Sequence, residues 1–114
     1  GLAARQGAII PFIAETGGQN AMIVDSSALT EQVVADVVQS SFNSAGQRCS
    51  ALRVLFLQEE IADKTLEMLI GSMQKLTIGD PILLETDVGP VIDEAAKETL
   101  QAHADQMKQQ AKLL

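Results

Sequence analysis

Apolar residues fall in short blocks separated by polar or glycine-bearing breaks. Ala8-Ile9-Ile10-Pro11-Phe12-Ile13 reads as a short buried strand. Pro11 confines it to a sheet edge or ends it early, because proline has no N–H for the ladder. Glu15-Thr16-Gly17-Gly18 is a turn signal with two residues free to take positive φ. Asn20-Ala21-Met22-Ile23-Val24 reads as a second short strand, and Asp25, Ser26 and Ser27 offer N-caps for the next element. Over residues 29–45 the period changes. Val33 and Val37, and Val34 and Val38, recur at i+4 between Leu29 and Phe42, which predicts a helix. Glu31 lies near its start, where the helix dipole favours a carboxylate. The helix closes at Ala45-Gly46-Gln47, and Arg48-Cys49-Ser50 comes immediately after. Residues 51–57, ALRVLFL, are nearly all apolar and predict a strand buried on both faces.

Residues 61–76 give the clearest helix. Ile61, Leu66, Leu69, Ile70 and Met73 line one side, leaving Glu59, Glu60, Asp63, Lys64, Glu67 and Lys75 for the other. Gly79-Asp80-Pro81 stops it, and Asp87-Val88-Gly89-Pro90 is a further punctuated loop. Asp93 caps a last helix over residues 94–108, mostly polar, with Leu100, Ala104 and Met107 as a thin apolar stripe. The order strand, helix, strand, helix, helix fits an α/β fold, a parallel or mixed sheet covered by helices.

Composition refines this picture in three ways. The chain has three Phe and neither Trp nor Tyr, so a core must rest on aliphatic side chains. Its net charge of −7 argues against nucleic acid and against anionic membrane surfaces as partners. A single Cys rules out an intramolecular disulfide and fits a reducing, cytoplasmic setting. No apolar stretch approaches the roughly 20 residues of a membrane helix, and residues 1–14 do not read as a signal peptide.

Two positions draw attention for their chemistry. Cys49 comes after a helix and stands beside Arg48, and Gly46 permits an unusual turn that would aim the thiol outward. A neighbouring cation or backbone N–H groups stabilise a thiolate and make it a nucleophile. The competing reading is a buried structural Cys, the default for a lone thiol. Glu15, between an apolar strand and Gly17-Gly18, is placed for proton transfer, or is a surface carboxylate at a strand end. His103, the only histidine, sits in a polar helix and reads as a solvated surface residue, which disfavours a Cys-His hydrolase. No cluster has metal-ligand spacing, and Gly17-Gly18 is not a phosphate-binding loop. A non-catalytic α/β interaction module with a structural Cys stays open at this point. A redox-sensing Cys protein would need a resolving partner, and there is no second Cys.

The two positions also carry a resemblance. Glu15-Thr16-Gly17-Gly18-Gln19-Asn20 resembles the glutamate motif of aldehyde dehydrogenases, E-x-G-G, a polar residue and a short strand. Gly46-Gln47-Arg48-Cys49 resembles their cysteine motif, G-Q-x-C. Glu15 and Cys49 are 34 residues apart with a helix between, in the family's order. The stretches AETGGQNAMIVDSSALTEQVV and SSFNSAGQRCSALRVLFLQ, then TIGDP and DVGPVID, resemble one branch in particular. It oxidises glutamate γ-semialdehyde in proline catabolism and includes bacterial bifunctional enzymes with a fused, FAD-dependent proline dehydrogenase.

The resemblance implies a site residue by residue. Cys49 would attack the aldehyde, NAD would take the hydride, and Glu15 would activate the water that releases the acid. The Cys49 backbone N–H would help hold the oxyanion. Ser50 would contact the substrate carboxylate, and the backbone of Thr16 and Gly17 would lie near the nicotinamide. Arg48 would orient substrate, lower the thiol pKa, or only fill a surface. Residues 1–18 would end a cofactor-binding domain with the glutamate motif, and residues 19–114 would begin the catalytic domain of a longer protein. Its partners would be a small aldehyde and further copies of itself, and FAD would belong only to a fused domain outside this chain. By the same resemblance, the 114 residues alone would neither bind NAD tightly nor turn over.

Overall fold

A computed structural model of the chain describes residues 7, 11, 13 and 17–114. The strand expected over residues 8–13, and Glu15 and Thr16, lie outside the described residues. Within them the element order is β1 (Asn20–Val24), α1 (Thr30–Phe42), a distorted turn (Asn43–Gly46), β2 (Leu52–Leu57), α2 (Glu59–Met73) and α3 (Glu94–Gln110). β1 and β2 pair in parallel, joined by α1, and form a two-stranded sheet.

The core forms where one sheet face meets the valine stripe of α1. Val33 and Val37 pack with Val24 and Leu52, and Met22, Leu55, Leu57, Ile61 and Leu69 close around them. The i+4 valines are buried as their spacing predicts: Val33, Val34 and Val37 all face inward. The register slips between Asn20 and Ala21, so that one step on β1 matches two on β2 and Arg53 is the extra residue. Such a bulge re-phases the alternation. Leu52 before it, and Leu55 and Leu57 after it, all pack against the helices.

The opposite sheet face is bare. Ala21, Ile23, Val54 and Phe56 point away from the helices, with Ile23 83% and Phe56 56% exposed. The expectation that residues 51–57 are buried on both faces is therefore not met among the described residues. The composition suits double burial, but α1 and α2 supply one cover only. The total accessible surface is 9168 Å², to which the bare sheet face, the unburied α3 and the loops all contribute. A compact 12.1 kDa monomer exposes about 6,000 Å².

Several boundaries differ from the sequence reading, among them the end of α2, which falls at Met73 rather than residue 76, well before Gly79-Asp80-Pro81. Asp25 does not cap α1. Its Oδ1 accepts from the N–H and hydroxyl of Ser27 in a tight turn, and the N-cap position falls to Leu29 without a side-chain bond. α1 ends at Phe42, three residues short of the expected end, because Ser44 and Ala45 leave the right-handed region. α2 starts two residues early, with Glu59 and Glu60 in its first turn, where the dipole favours them. The most buried side chain of α2 is Thr65, outside the apolar stripe. Its hydroxyl donates to the Ile61 carbonyl at 2.7 Å, which satisfies the one polar atom it buries. α3 is capped by Asp93, whose Oδ1 accepts from the Ala96 N–H, and none of its residues is buried.

Candidate active site

The loop from Asn43 to Ala51 connects α1 to β2 and carries Cys49. Its shape starts with three consecutive left-handed residues: Ser44 (φ 57°), Ala45 (φ 53°) and Gly46 (φ 66°). Glycine adopts this region freely, whereas Ser and Ala each pay about 1–2 kcal/mol for it. Such strain persists only where the surroundings over-determine the backbone, and here the loop is held from several sides. Arg53 donates from Nη2 to the Gly46 carbonyl at 2.6 Å. Arg48 donates from Nε to the Ser44 hydroxyl at 3.1 Å. Gln47 spans two segments: its Nε2 donates to the Ser44 carbonyl, and its Oε1 accepts the Ile92 N–H at 2.8 Å. That last bond ties the loop to the segment around residues 77–92, which is itself closed by the Ile78–Val88 bridge.

The Cys49 end of the loop lies against the start of β1. A Cβ on Gly18 would collide with the Cys49 carbonyl oxygen, so the two main chains approach as closely as only a glycine allows. Asn20 then donates from Nδ2 to the carbonyls of Cys49 (2.7 Å) and Ala51 (3.0 Å). The Ala51 N–H donates to the Arg48 carbonyl and closes a turn over residues 48–51. Cys49 is free and exposed on that turn. Within this chain the thiol is not buried, as a structural Cys packed by these elements would be.

The structure brings several of the candidate residues together. Gly17 and Gly18 sit beside the Cys49 turn, and Gly17 is exposed with open space where a side chain would stand. Arg48 and Ser50 line one cleft of about 390 Å³ with Met22, Asp36, Asn43 and Ala51. Cys49 is not among the residues lining that cleft. The side chains missing from the sequence reading are Asn20, Gln47 and Arg53. Asn20 and Gln47 stand inside the two motifs, and a polar side chain within a glycine-bearing motif is their one available signal. Among the described residues no group of His, Cys, Asp and Glu is arranged to hold a metal ion, and no helix is long and apolar enough to cross a membrane. His103 lies exposed on α3, away from this turn in the chain.

A strained, latched turn that exposes a thiol against a Gly-Gly backbone fits the two-motif arrangement. The profile of the aldehyde dehydrogenase family matches residues 2–114, and the chain belongs to that family. Among characterised relatives it is 65% identical over 103 residues to the bifunctional protein PutA of Escherichia coli, covering 90% of this chain and 8% of that protein. It is 34% identical over 102 residues to the 1-pyrroline-5-carboxylate dehydrogenase of Geobacillus thermodenitrificans, covering 90% of this chain and 20% of the relative. The chain thus spans less than a tenth of the length of the first and a fifth of the second. A crystal structure of bifunctional proline utilization A superposes with a TM-score of 0.87 at 60% identity, over 98% of this chain and 11% of that one. Betaine aldehyde dehydrogenase from Staphylococcus aureus in complex with NAD+ superposes with a TM-score of 0.80 at 30% identity, over 82% and 19%.

Proposed function

We propose that the chain is the cysteine-bearing part of an NAD-dependent aldehyde dehydrogenase that oxidises L-glutamate γ-semialdehyde to L-glutamate in proline catabolism. The carrying observation is the exposed Cys49 on a turn strapped to the backbone of the glutamate motif. The likeness to proteins named for proline utilisation and 1-pyrroline-5-carboxylate oxidation supports the substrate.

In this reading Cys49 attacks the carbonyl carbon through its sulfur. A C–S bond forms, and the carbonyl electron pair moves to oxygen, giving a thiohemiacetal. The Cys49 main-chain N–H would help hold that oxyanion, as a preorganised donor where charge develops. Bound NAD would supply the hydride acceptor, and loss of hydride to it would leave a thioester on Cys49. Glu15 takes a proton from a water molecule that attacks the thioester carbon. The C–S bond breaks, glutamate leaves and the thiolate returns. Ser50, next to the nucleophile in the chain, meets the substrate carboxylate, and Arg48 on the other side of Cys49 helps orient the substrate. By the family's motif, the backbone at Thr16 and Gly17 would lie near the nicotinamide when the cofactor is bound. The open space over Gly17 leaves room for a flat ring against the main chain. Residues 1–18 close the cofactor-binding domain and residues 19–114 open the catalytic one. The enzyme assembles from several copies, and FAD serves only a proline dehydrogenase half where one is fused.

The test is NADH formation from glutamate semialdehyde by the full-length polypeptide, wild type beside Cys49→Ala. Activity in the first and none in the second supports both nucleophile and substrate. Equal activity in the two removes Cys49 from the chemistry. Oxidation of a different aldehyde alone keeps the reaction and discards the substrate.

A further inference from the structure

The sequence motifs provide a nucleophile and a base but leave open what keeps the nucleophile's main chain aligned with the strand beside it. Asn20 does so in an unusual way. Its single amide nitrogen has two hydrogens, and each is matched to a carbonyl: Cys49 at 2.7 Å and Ala51 at 3.0 Å. These carbonyls flank Ser50. A peptide unit is planar, so holding the Cys49 oxygen also turns the Ser50 N–H to the opposite side. Holding the Ala51 oxygen fixes the peptide that leads into β2. The peptide between, Ser50–Ala51, is held by its own N–H, which donates to the Arg48 carbonyl. The Asn20 bonds and this turn bond together set the planes on both sides of Cys49 and Ser50, and with them the exit directions of the two side chains. Asn20 is itself anchored, since it pairs with Leu52 at the first rung of the sheet and Gly18 packs against the same carbonyl.

We propose that Asn20 is a positioning residue that sets the presentation of Cys49 and Ser50 from the strand that comes after the glutamate motif. The proposal rests on the reading of Cys49 as nucleophile and Ser50 as carboxylate contact. It depends on donors, not on shape. Aspartate has the same outline but would set carboxylate oxygens against two carbonyl oxygens, and its electrostatics would push the turn away.

The experiment compares Asn20→Ala and Asn20→Asp with wild type in the full-length polypeptide, by hydrogen exchange and by steady-state kinetics with glutamate semialdehyde and with propanal. Both variants are expected to exchange about tenfold faster over residues 48–55 with residues 30–42 unchanged, as lost strapping of one turn requires. Turnover of both aldehydes falls about 100-fold, the scale of a 1 Å misplacement. KM for glutamate semialdehyde also rises while that for propanal holds, since only the first carries a carboxylate for Ser50. A residue that merely stabilised the fold would lower the melting temperature and leave turnover per folded site unchanged. The proposal is overturned if exchange over 48–55 is unaltered, if turnover stays within about threefold, or if Asn20→Asp behaves as wild type. Should wild type oxidise neither aldehyde, the functional reading fails on its own, and the exchange comparison still decides whether Asn20 holds the turn.

Discussion

Gly46→Ala isolates the left-handed turn in front of Cys49. The added Cβ meets two obstacles. At φ +66° an L side chain costs about 1–2 kcal/mol, offset by roughly 0.4–1 kcal/mol because alanine loses less freedom than glycine on folding. The same Cβ would stand 2.8 Å from the Ser41 carbonyl oxygen, about 0.6 Å short of ordinary contact. That oxygen belongs to the α1 backbone, so Gly46 must retreat. Retreat displaces the carbonyl that Arg53 holds at 2.6 Å, an exposed bond contributing about 1 kcal/mol. The local cost is therefore about 2 kcal/mol. Three residues later the chain presents Cys49. If a 1 Å misplacement costs about 100-fold, a shift of this size costs about tenfold in kcat/KM. NADH formation by the full-length polypeptide, with a thermal melt alongside, reads both effects. Ala45→Gly is the control. It removes a Cβ at φ 53° and is expected to keep activity and hold or raise the melting temperature. Gly46→Ala with wild-type kcat/KM would refute the claim that this turn aims the thiol.

The core and the β1–α1 turn give two further expected outcomes. Val37→Ala removes two methyl groups from a site 4% exposed among Val24, Val33 and Leu52. At about 0.8 kcal/mol each plus a cavity term, it should destabilise by about 2 kcal/mol, read as a lower denaturant midpoint with unchanged slope. The Ser27 hydroxyl, then its N–H, hold the Asp25 carboxyl below its ordinary value of 3.8. A carboxyl depressed on folding adds stability above its unfolded pKa and loses it as pH falls through the folded one. Ser27→Ala should therefore raise the Asp25 midpoint in an NMR titration, and a wild-type midpoint at or above 3.8 would contradict the contact.

Much of the fold is legible because local patterns carry it. The i+4 valines give α1, the division into an apolar and a charged side gives α2, and Asp93 announces α3. The misreadings come from interactions that are long in sequence. Nothing in Ser44-Ala45 signals a left-handed backbone, since that conformation is held by Arg53, Arg48 and Gln47 rather than by its own residues. Asn20 reads as the first residue of a strand because its partners stand about thirty positions away. The strand at residues 52–57 has the apolar content of a doubly covered strand, yet content cannot say which layer supplies the second cover. Of the site, Cys49 is identified from a motif and found exposed. The role of Glu15 rests on the motif alone, because its position lies outside the described residues.

The bare face of Ala21, Ile23, Val54 and Phe56 bears on how such a segment is made. β1 and β2 pair in parallel across a helix, with partners about thirty residues apart, a non-local pairing that forms slowly. On a ribosome, chain emerging in order can complete this sheet only after β2 and α2 clear the exit tunnel. The strip of aliphatic and aromatic side chains then stands open on a nascent polypeptide, where exposed apolar surface drives wrong associations. The feature that readies the sheet for a second layer is thus also the surface where wrong associations start for as long as that layer is absent.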